Sequence, residues 1–433
     1  MKLVIFTPTI KASAIGRMAR LVSQALVLLG HDVLIVRAEA KSLFSAATHD
    51  FAAPMIRWDD EARVLEAISN ADSVSYHIGD NFPFHEGCLE WLPRHSGVVC
   101  LHDFFLGHLF SKWAESHPDL ANQILKRWYG EEGANVFFDT STNTDFITRT
   151  SDVAPMTEWI CALADGVITH SHWGTARAIR SCPGPVQVVP IAYDAPDLAE
   201  RGSTSSRRPE NFRLLTIGHI NRNKRVASVL RAIGGSSILR NRCVYRLVGH
   251  IEPAMVVELS ALASSLRVNL LIGGEADDRT LATALAEADV VSCLRWPSLE
   301  AASASAVESM LYGKATIVTD TGFYKEIAAD CVEKIAHEDE VEALRDVLEK
   351  LFLSPDLRQE LGTKAKRWAT QTYSATQYAS ALVLLTEACA GSRARTIAQR
   401  FFFSVLQRWG ATPHMTSSKE VIGNSLVQVG ALR

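Results

Sequence analysis

The chain has 433 residues, 47% hydrophobic and 21% charged, with a net charge of −4. At roughly 100–200 residues per domain this makes two or three domains with cores of their own, which excludes a small stapled scaffold, a collagen-like chain and a disordered one. Residues 1–200 carry 15 basic and 24 acidic side chains, 201–390 carry 23 of each, and 391–433 carry six and one. Neither large segment offers the clustered basic face that neutralising many phosphates needs, so nucleic acid is not expected as a partner.

The eight cysteines never approach within fewer than 12 residues of one another, which excludes a Cys-x-x-Cys metal or redox pair. Several lie in apolar runs such as Val98-Val99-Cys100-Leu101, as buried reduced thiols do, and a cytoplasmic setting is expected. The apolar stretch Leu3 to Ile10 is short, broken by Pro8 and without a small-residue cleavage site, so it reads as a strand rather than a leader. No run reaches the roughly 18–20 apolar residues of a membrane span.

In chain order, Leu3-Val4-Ile5-Phe6 predicts a buried strand, and Met18, Ala19, Val22, Leu26 and Leu29 recur at helical spacing until Gly30. Val33 to Val36 is short and β-branched, so the chain opens β-α-β, the mark of a parallel sheet. The alternation predicts further strands near 74–78, 98–101, 166–169 and 186–189. The polar stretch 130–155, rich in Asp, Thr, Ser and Asn, reads as a long functional loop or lid, or as a surface insertion. Residues 201–212, with Arg201-Gly-Ser-Thr-Ser-Ser-Arg-Arg-Pro209, read as an exposed linker between a first domain of 1–200 and a second of 213–372. Strands are then expected near 214–217, 244–248, 268–272, 289–293 and 315–319. A helix over 373–390 is expected to cross back to the first domain. In the basic tail 391–433, Ile397, Phe401, Val405 and Trp409 share one helical face, which either packs on the first domain or touches a membrane surface.

In doubly wound sheets ligands bind beyond the carboxyl ends of the strands, which directs attention to four places. Gly218-His219-Ile220-Asn221-Arg222-Asn223-Lys224 follows the strand that opens the second half, and a glycine turn with His219, Arg222 and Lys224 suits a diphosphate, though a solvated basic turn reads the same. In the run from Arg295-Trp296-Pro297 to Glu308, Ser303, Ala304 and Ser305 let a ligand approach a helix N-terminus closely. Glu300 and Glu308 lie about two turns apart, and a carboxylate can accept hydrogen bonds from a pair of hydroxyls. His102, followed by Asp103, ends the strand at 98–101, whereas His108, deeper in an apolar stretch, reads as structural. Thr9 to Arg17, with Gly16, is the turn after the first strand. No Gly-x-Gly-x-x-Gly occurs, which weakens a dehydrogenase reading.

In order and spacing these segments resemble the retaining, family-4 class of GT-B glycosyltransferases over most of residues 1–390. The resemblance is carried by Glu300-x7-Glu308 with Gly313, Val318-Thr-Asp-Thr-Gly322 and Glu326, and by Gly218 to Lys224, Val248-Gly249, Ala288-Asp289-Val290 and Ala164-Asp165-Gly166-Val167-Ile168-Thr169-His170-Ser171. It implies an α/β GT-B fold, two Rossmann-like doubly wound domains facing an inter-domain cleft. It further implies that Lys224 holds the donor diphosphate with Gly218, His219, Arg222, Gly16 and the amides near Ser303, Ala304 and Ser305. Glu308 would hold the nucleotide ribose, Glu300 the hydroxyls of the transferred sugar, and His102 would act near that sugar, making His102, Glu300 and Lys224 the catalytic candidates. Asp103 and Arg17 would face the acceptor. The chain departs from the family pattern in having His at 219 rather than Arg, with Arg222 as a neighbouring substitute, Gly16 in place of a Gly-Gly pair, and no Gly after Glu300.

The implied activity is transfer of a hexose from a GDP- or UDP-sugar to a glycan or lipid-linked saccharide in surface or exopolysaccharide assembly, with retention of anomeric configuration. A nucleotide-sugar epimerase or hydrolase on the same fold, or a non-catalytic nucleotide-sugar-binding partner, are the alternatives. Breaking the sugar–phosphate bond puts charge on the diphosphate, which Lys224 and a helix N-terminus can meet without a cofactor. No Asp-x-Asp follows a strand, and Asp277-Asp278 reads as solvated, so no metal is expected. Glu300 and Glu308 are taken up by binding, which leaves no glycosidase-like carboxylate pair.

Overall fold

The computed structural model describes residues 1–139, 142–194 and 212–409. The chain divides into two compact units: Met1–Ala192 with Leu299–Ala302 and the segment from Ala375 onward, and Tyr193–Ser298 with Ser303–Ser374.

The first unit is built on β1 (Lys2–Thr7), β2 (Asp32–Arg37), β3 (Met55–Arg57), β4 (Ser73–Ile78), β5 (Val98–Leu101), β6 (Gly166–Thr169) and β7 (Val186–Val188), in the order β3-β2-β1-β4-β5-β6-β7. Every pairing is parallel, with Ile5 opposite Ile35 on one side and Ser75 on the other. The inner strands β4, β5 and β6 are buried along nearly their whole length, as strands covered on both faces must be. Helices α1 (Ala14–Leu28), α2 (Glu61–Ser69), α3 (Phe82–Trp91), α4 (Gly107–Ala114), α5 (Pro118–Phe138), α6 (Asn143–Thr150), α7 (Thr157–Leu163) and α8 (Thr175–Ser181) fill the connections. Ser13 caps α1 by accepting from the Gly16 amide at 3.1 Å.

The second unit repeats the plan with β8 (Phe212–Ile217), α9 (Val226–Gly235), β9 (Cys243–Val248), α10 (Pro253–Leu266), β10 (Asn269–Ile272), α11 (Asp278–Glu287), β11 (Val290–Cys293), α12 (Ala304–Leu311), β12 (Ala315–Thr319) and β13 (Glu333–Ile335). Its sheet runs β10-β9-β8-β11-β12-β13, again wholly parallel. Helices α13 (Glu340–Leu353) and α14 (Pro355–Thr372) complete it. The two doubly wound parallel sheets are the expected Rossmann-like pair. The short edge strands β3 and β13, three residues each, add to the expected set.

Three expectations change. Among the described residues most of 130–155 is helical: α5 runs to Phe138 through a kink at Gly130 (φ 72°), and α6 covers Asn143–Thr150. Phe137, Phe146 and Ile147 are buried, and the Phe137 ring stands 5.0 Å from Phe146 and 5.4 Å from Phe110. Part of the polar composition is cap chemistry, since the Thr142 hydroxyl accepts from the Asp145 amide. The expected break at 390 is also absent, because α15 runs unbroken from Ala375 to Arg408 and belongs to the first unit. It docks through Thr396, Gln399 and Arg400. The Arg400 guanidinium donates to the Leu163 and Ala164 carbonyls at 3.0 and 2.7 Å and lies 3.1 Å from Asp165, while Ile397, Phe401 and Trp409 stay exposed. Finally, Leu299–Ala302 clusters with the first unit although it lies inside the expected second domain. The linker expected at 201–212 lies, but for Phe212, outside the described residues, as does the tail beyond 409.

Candidate functional site

In the second unit the expected donor residues assemble at the carboxyl ends of β8 and β11. Gly218 directly follows β8 at φ 86°, a left-handed conformation that favours glycine. A Cβ there would lie 3.1 Å from Ser305 Oγ and 3.3 Å from Lys224 Nζ, so the missing side chain leaves the backbone open beside both. Lys224 is 4% exposed; its ammonium donates to the Ile217 carbonyl and, at 3.3 Å, to Ser305 Oγ. Ser303 caps α12, accepting from the Ala306 amide, so the free amides of the helix N-terminus begin beside the Lys224 ammonium. Glu308 is buried on the same helix at 3% exposure, and Ser309 donates back to the Ser305 carbonyl. Gly249 packs against this turn so closely that a Cβ would stand 2.1 Å from the Gly218 carbonyl oxygen. A buried cation, a left-handed glycine turn and a helix N-terminus together form a binding place for an anion such as a diphosphate.

Two donor candidates take different parts. Arg222 turns its guanidinium to Glu258, donating at 3.2 and 2.8 Å on the exposed surface. His219 stands 5.2 Å from the His250 ring, and its pKa lies below the ordinary value, first through burial and then through His250 and Lys224. It is therefore a neutral imidazole at pH 7, whereas His250 is raised by its hydrogen bonds to Glu252 and Glu275. Asp277 is not simply solvated but caps α11, accepting from the Thr280 amide at 2.8 Å.

In the first unit, His102 ends β5 within a group of buried histidines. Its Nε2 shares a 3.0 Å hydrogen bond with Nδ1 of His77 on β4, and its ring lies 4.7 Å from that of His170. His170 bonds the Val189 carbonyl through Nδ1, and His85 Nε2 accepts from the Gly79 amide at 3.1 Å. Burial pushes His77 and His85 down to about 3, His170 to about 4 and His102 well below the usual value, so all four rings are neutral. Among the described residues no His, Cys, Asp and Glu set could hold a metal ion.

Glu300 sits in the strap 299–302, tied to the loop after β5: the Phe104 amide donates to the Leu299 carbonyl, the Ala301 amide to the His102 carbonyl, and the Ser171 hydroxyl to the Ala301 carbonyl. Asp103 forms a β-bridge with Glu300, and its carboxylate accepts from the Asp80 amide at 2.8 Å, so this acceptor candidate is engaged in holding the loop. Asp80 in turn accepts from the Leu109 amide and lies 2.5 Å from His108 Nδ1, which makes His108 part of a polar network rather than of the core. Gly16 stands where a Cβ would come within 2.6 Å of the Pro8 carbonyl oxygen, and Arg17 beside it is buried.

Sequence reasoning passed over His77 and His85, and quoted His170 only as part of a family mark. Their signal was a histidine between the apolar Tyr76 and Ile78 in β4, and His170-Ser171 directly after β6. It also missed Glu39, wholly buried after β2, which accepts from the Thr9 hydroxyl at 2.7 Å and pairs with Arg37.

The chain is similar in structure to sucrose-phosphate synthase from Thermosynechococcus elongatus, with a TM-score of 0.61 at 13% identity over 94% of this chain and 99% of that one. It is also similar to WaaG, a glycosyltransferase involved in lipopolysaccharide biosynthesis (0.58, 17%, 89% and 100%), and to Anabaena HepE in complex with UDP-glucose (0.58, 15%, 90% and 99%). No curated protein matches the sequence. The two parallel Rossmann-like sheets and these neighbours make the fold GT-B, and residues 203–368 match the family described as glycosyl transferases group 1.

Proposed function

We propose that this chain is a retaining glycosyltransferase of the family-4 kind that moves a hexose from a GDP- or UDP-sugar to a glycan or lipid-linked saccharide in surface polysaccharide assembly. The observation that carries the reading is the convergence of Gly218, Lys224 and Ser305 at the start of α12, within the span that matches the group 1 family. HepE, a structural neighbour, holds UDP-glucose, which supports a nucleotide-sugar donor here.

In this reading Lys224, the Gly218 turn and the first amides of α12 meet the diphosphate, whose charge grows as the sugar–phosphate bond breaks. Glu308 accepts from the ribose hydroxyls and Glu300 from hydroxyls of the sugar. His102 works beside the sugar as a neutral ring, because a cation there would oppose the oxocarbenium character that develops at the sugar. The departing phosphate, on the same face as the incoming hydroxyl, takes its proton, which gives retention without a glycosidase-like base. The reaction needs no metal. The protein works in the cytoplasm, in keeping with eight free thiols, seven of them buried. The exposed Ile397, Phe401 and Trp409 with Arg393, Arg395 and Arg408 form its contact with the inner face of a membrane.

Calorimetry with UDP, GDP, ADP and their common sugars tests the donor reading. Binding of one nucleotide that is lost in Lys224→Ala and Glu308→Ala supports it. Donor consumption without acceptor at the full rate would replace it with a hydrolase or epimerase.

A further inference from the structure

His77 and His102 are both neutral, so each ring carries one N–H, and one 3.0 Å bond between Nδ1 of His77 and Nε2 of His102 admits two arrangements. Either His77 donates from Nδ1 and keeps a bare lone pair at Nε2, or His102 donates from Nε2 and His77 must carry its proton on Nε2. That atom is buried without a hydrogen-bond partner, and His77 is wholly inaccessible. The second arrangement therefore seals an N–H away from any acceptor. Buried N–H groups without an acceptor are rare, and under-used acceptors are less so. The cluster holds one of each: His170 donates from Nδ1 to the Val189 carbonyl and leaves a bare lone pair on its buried Nε2, whereas His85, whose Nε2 accepts from the Gly79 amide, keeps its N–H on a buried, unpartnered Nδ1.

Resting on the reading of His102 as the group beside the donor sugar, we propose that His77 is a positioning residue that fixes the tautomer of His102, so that its Nδ1 carries the proton and faces the ligand as a hydrogen-bond donor. His77 is locked in place by β4, which pairs with β5 so that His77 lies opposite Cys100, two residues before His102. His102 retains 9% exposure where His77 and His85 have none, so it is the ring of the group that can reach a ligand. A neutral N–H donor of this kind requires an oxygen acceptor on the sugar, and a sugar deoxygenated at that position loses the bond.

The test is a long-range proton–nitrogen correlation spectrum of the full chain labelled with 15N-histidine, at pH 7 and without any donor, with the His102 signals assigned by their loss in His102→Gln. A protonated Nδ1 and an unprotonated Nε2 on His102 are expected. The reverse pattern overturns the proposal. In His77→Phe, which keeps a ring but offers no N–H, the His102 pattern is expected to shift towards the Nε2–H form, and His77→Asn, whose amide can donate from about the same place, is expected to restore it. An unchanged pattern in His77→Phe also overturns the proposal. Should that variant not fold, the wild-type spectrum alone decides between the two tautomers. In turnover, His77→Phe is expected to lower kcat by about 10–100-fold with KM within about twofold, as loss of an oriented donor does; an unchanged kcat beside a changed tautomer would end the positioning role. A chain with the expected tautomer that transfers no sugar from any donor would defeat the glycosyltransferase reading and leave the tautomer assignment standing.

Discussion

Replacing Lys224 by Met removes the ammonium and keeps most of the volume of a side chain that is 4% exposed. A hydrogen bond to a charged group is worth about 1.5–3 kcal/mol, so donor affinity is expected to fall about 10- to 150-fold at 1.4 kcal/mol per tenfold. The fold should survive. The Ser305 hydroxyl still donates to the Ile217 carbonyl at 3.3 Å, which keeps that oxygen satisfied when the lysine is gone. A net loss near 1 kcal/mol moves Tm by roughly 2–4 °C in a domain of 150–250 residues. Titration calorimetry with the nucleotide that the wild type binds reads the affinity, and thermal unfolding reads the fold. Arg222→Met is the matched control: its guanidinium is engaged with Glu258 on the surface, so it should bind the nucleotide within about twofold of wild type. Full affinity in Lys224→Met, or a large loss in Arg222→Met, would refute the assignment of the diphosphate to the buried lysine.

Acid should unfold the first unit early. His77, His85 and His170 have folded-state pKa values of about 3, 3 and 4 against 6.5 unfolded, so their contribution is complete above 6.5 and drains as pH falls towards those values, by about 1.4 kcal/mol per group and pH unit. Asp80, raised by burial, offsets part of this; a Tm unchanged from pH 7 to pH 5 would contradict the scheme. Gly249→Ala should unfold the Gly218 turn and abolish nucleotide binding, because its Cβ would lie 2.1 Å from the Gly218 carbonyl oxygen at a φ of 136°; normal binding by this variant would show that the turn is not the donor site. Transfer should proceed unchanged in EDTA, and stimulation by divalent ions of well over tenfold would defeat the metal-free reading. Phe401→Ser with Ile397→Ser should weaken sedimentation with anionic vesicles and leave turnover of a soluble acceptor intact; vesicle binding equal to that of wild type would assign that face to another role.

Most of the fold was legible because parallel strands announce themselves as short apolar, β-branched runs. Val98 to Leu101 and Ala315 to Thr319 are buried at every position, and the only polar members are the β-branched Thr316 and Thr319, which suit a strand. The edge strands β3 and β13 were not legible because each is three residues long and carries charge, Arg57 in one and Glu333 and Lys334 in the other, whereas the equally short β7 shows through its two valines. The region 130–155 misled because composition counts residues without their places. Its Thr142 serves as a helix cap, while the two phenylalanines that anchor it, Phe137 and Phe146, are too few to show a period.

The site divides along the same line. Gly218, Lys224, Ser303, Ser305 and Glu308 stood out because each lies within a few residues of a strand end or a helix start, and the pairing of β8 with β11 brings Lys224 to Ser305 across 81 residues. The pairing of Arg222 with Glu258 was not legible, because the two are 36 residues apart and lie on different elements. The histidines behind His102 were hidden more deeply. His77 and His102 are 25 residues apart, and they meet only because β4 pairs with β5 in a register that sets His77 opposite Cys100. A register is a property of two strands together, and no single strand displays it. In the proposed arrangement it also decides which proton His102 offers, since the strand that buries His77 leaves its Nε2 without a partner. On that proposal the residue beside the sugar is written in a motif, while the residue that sets its tautomer is written in the pairing of the sheet.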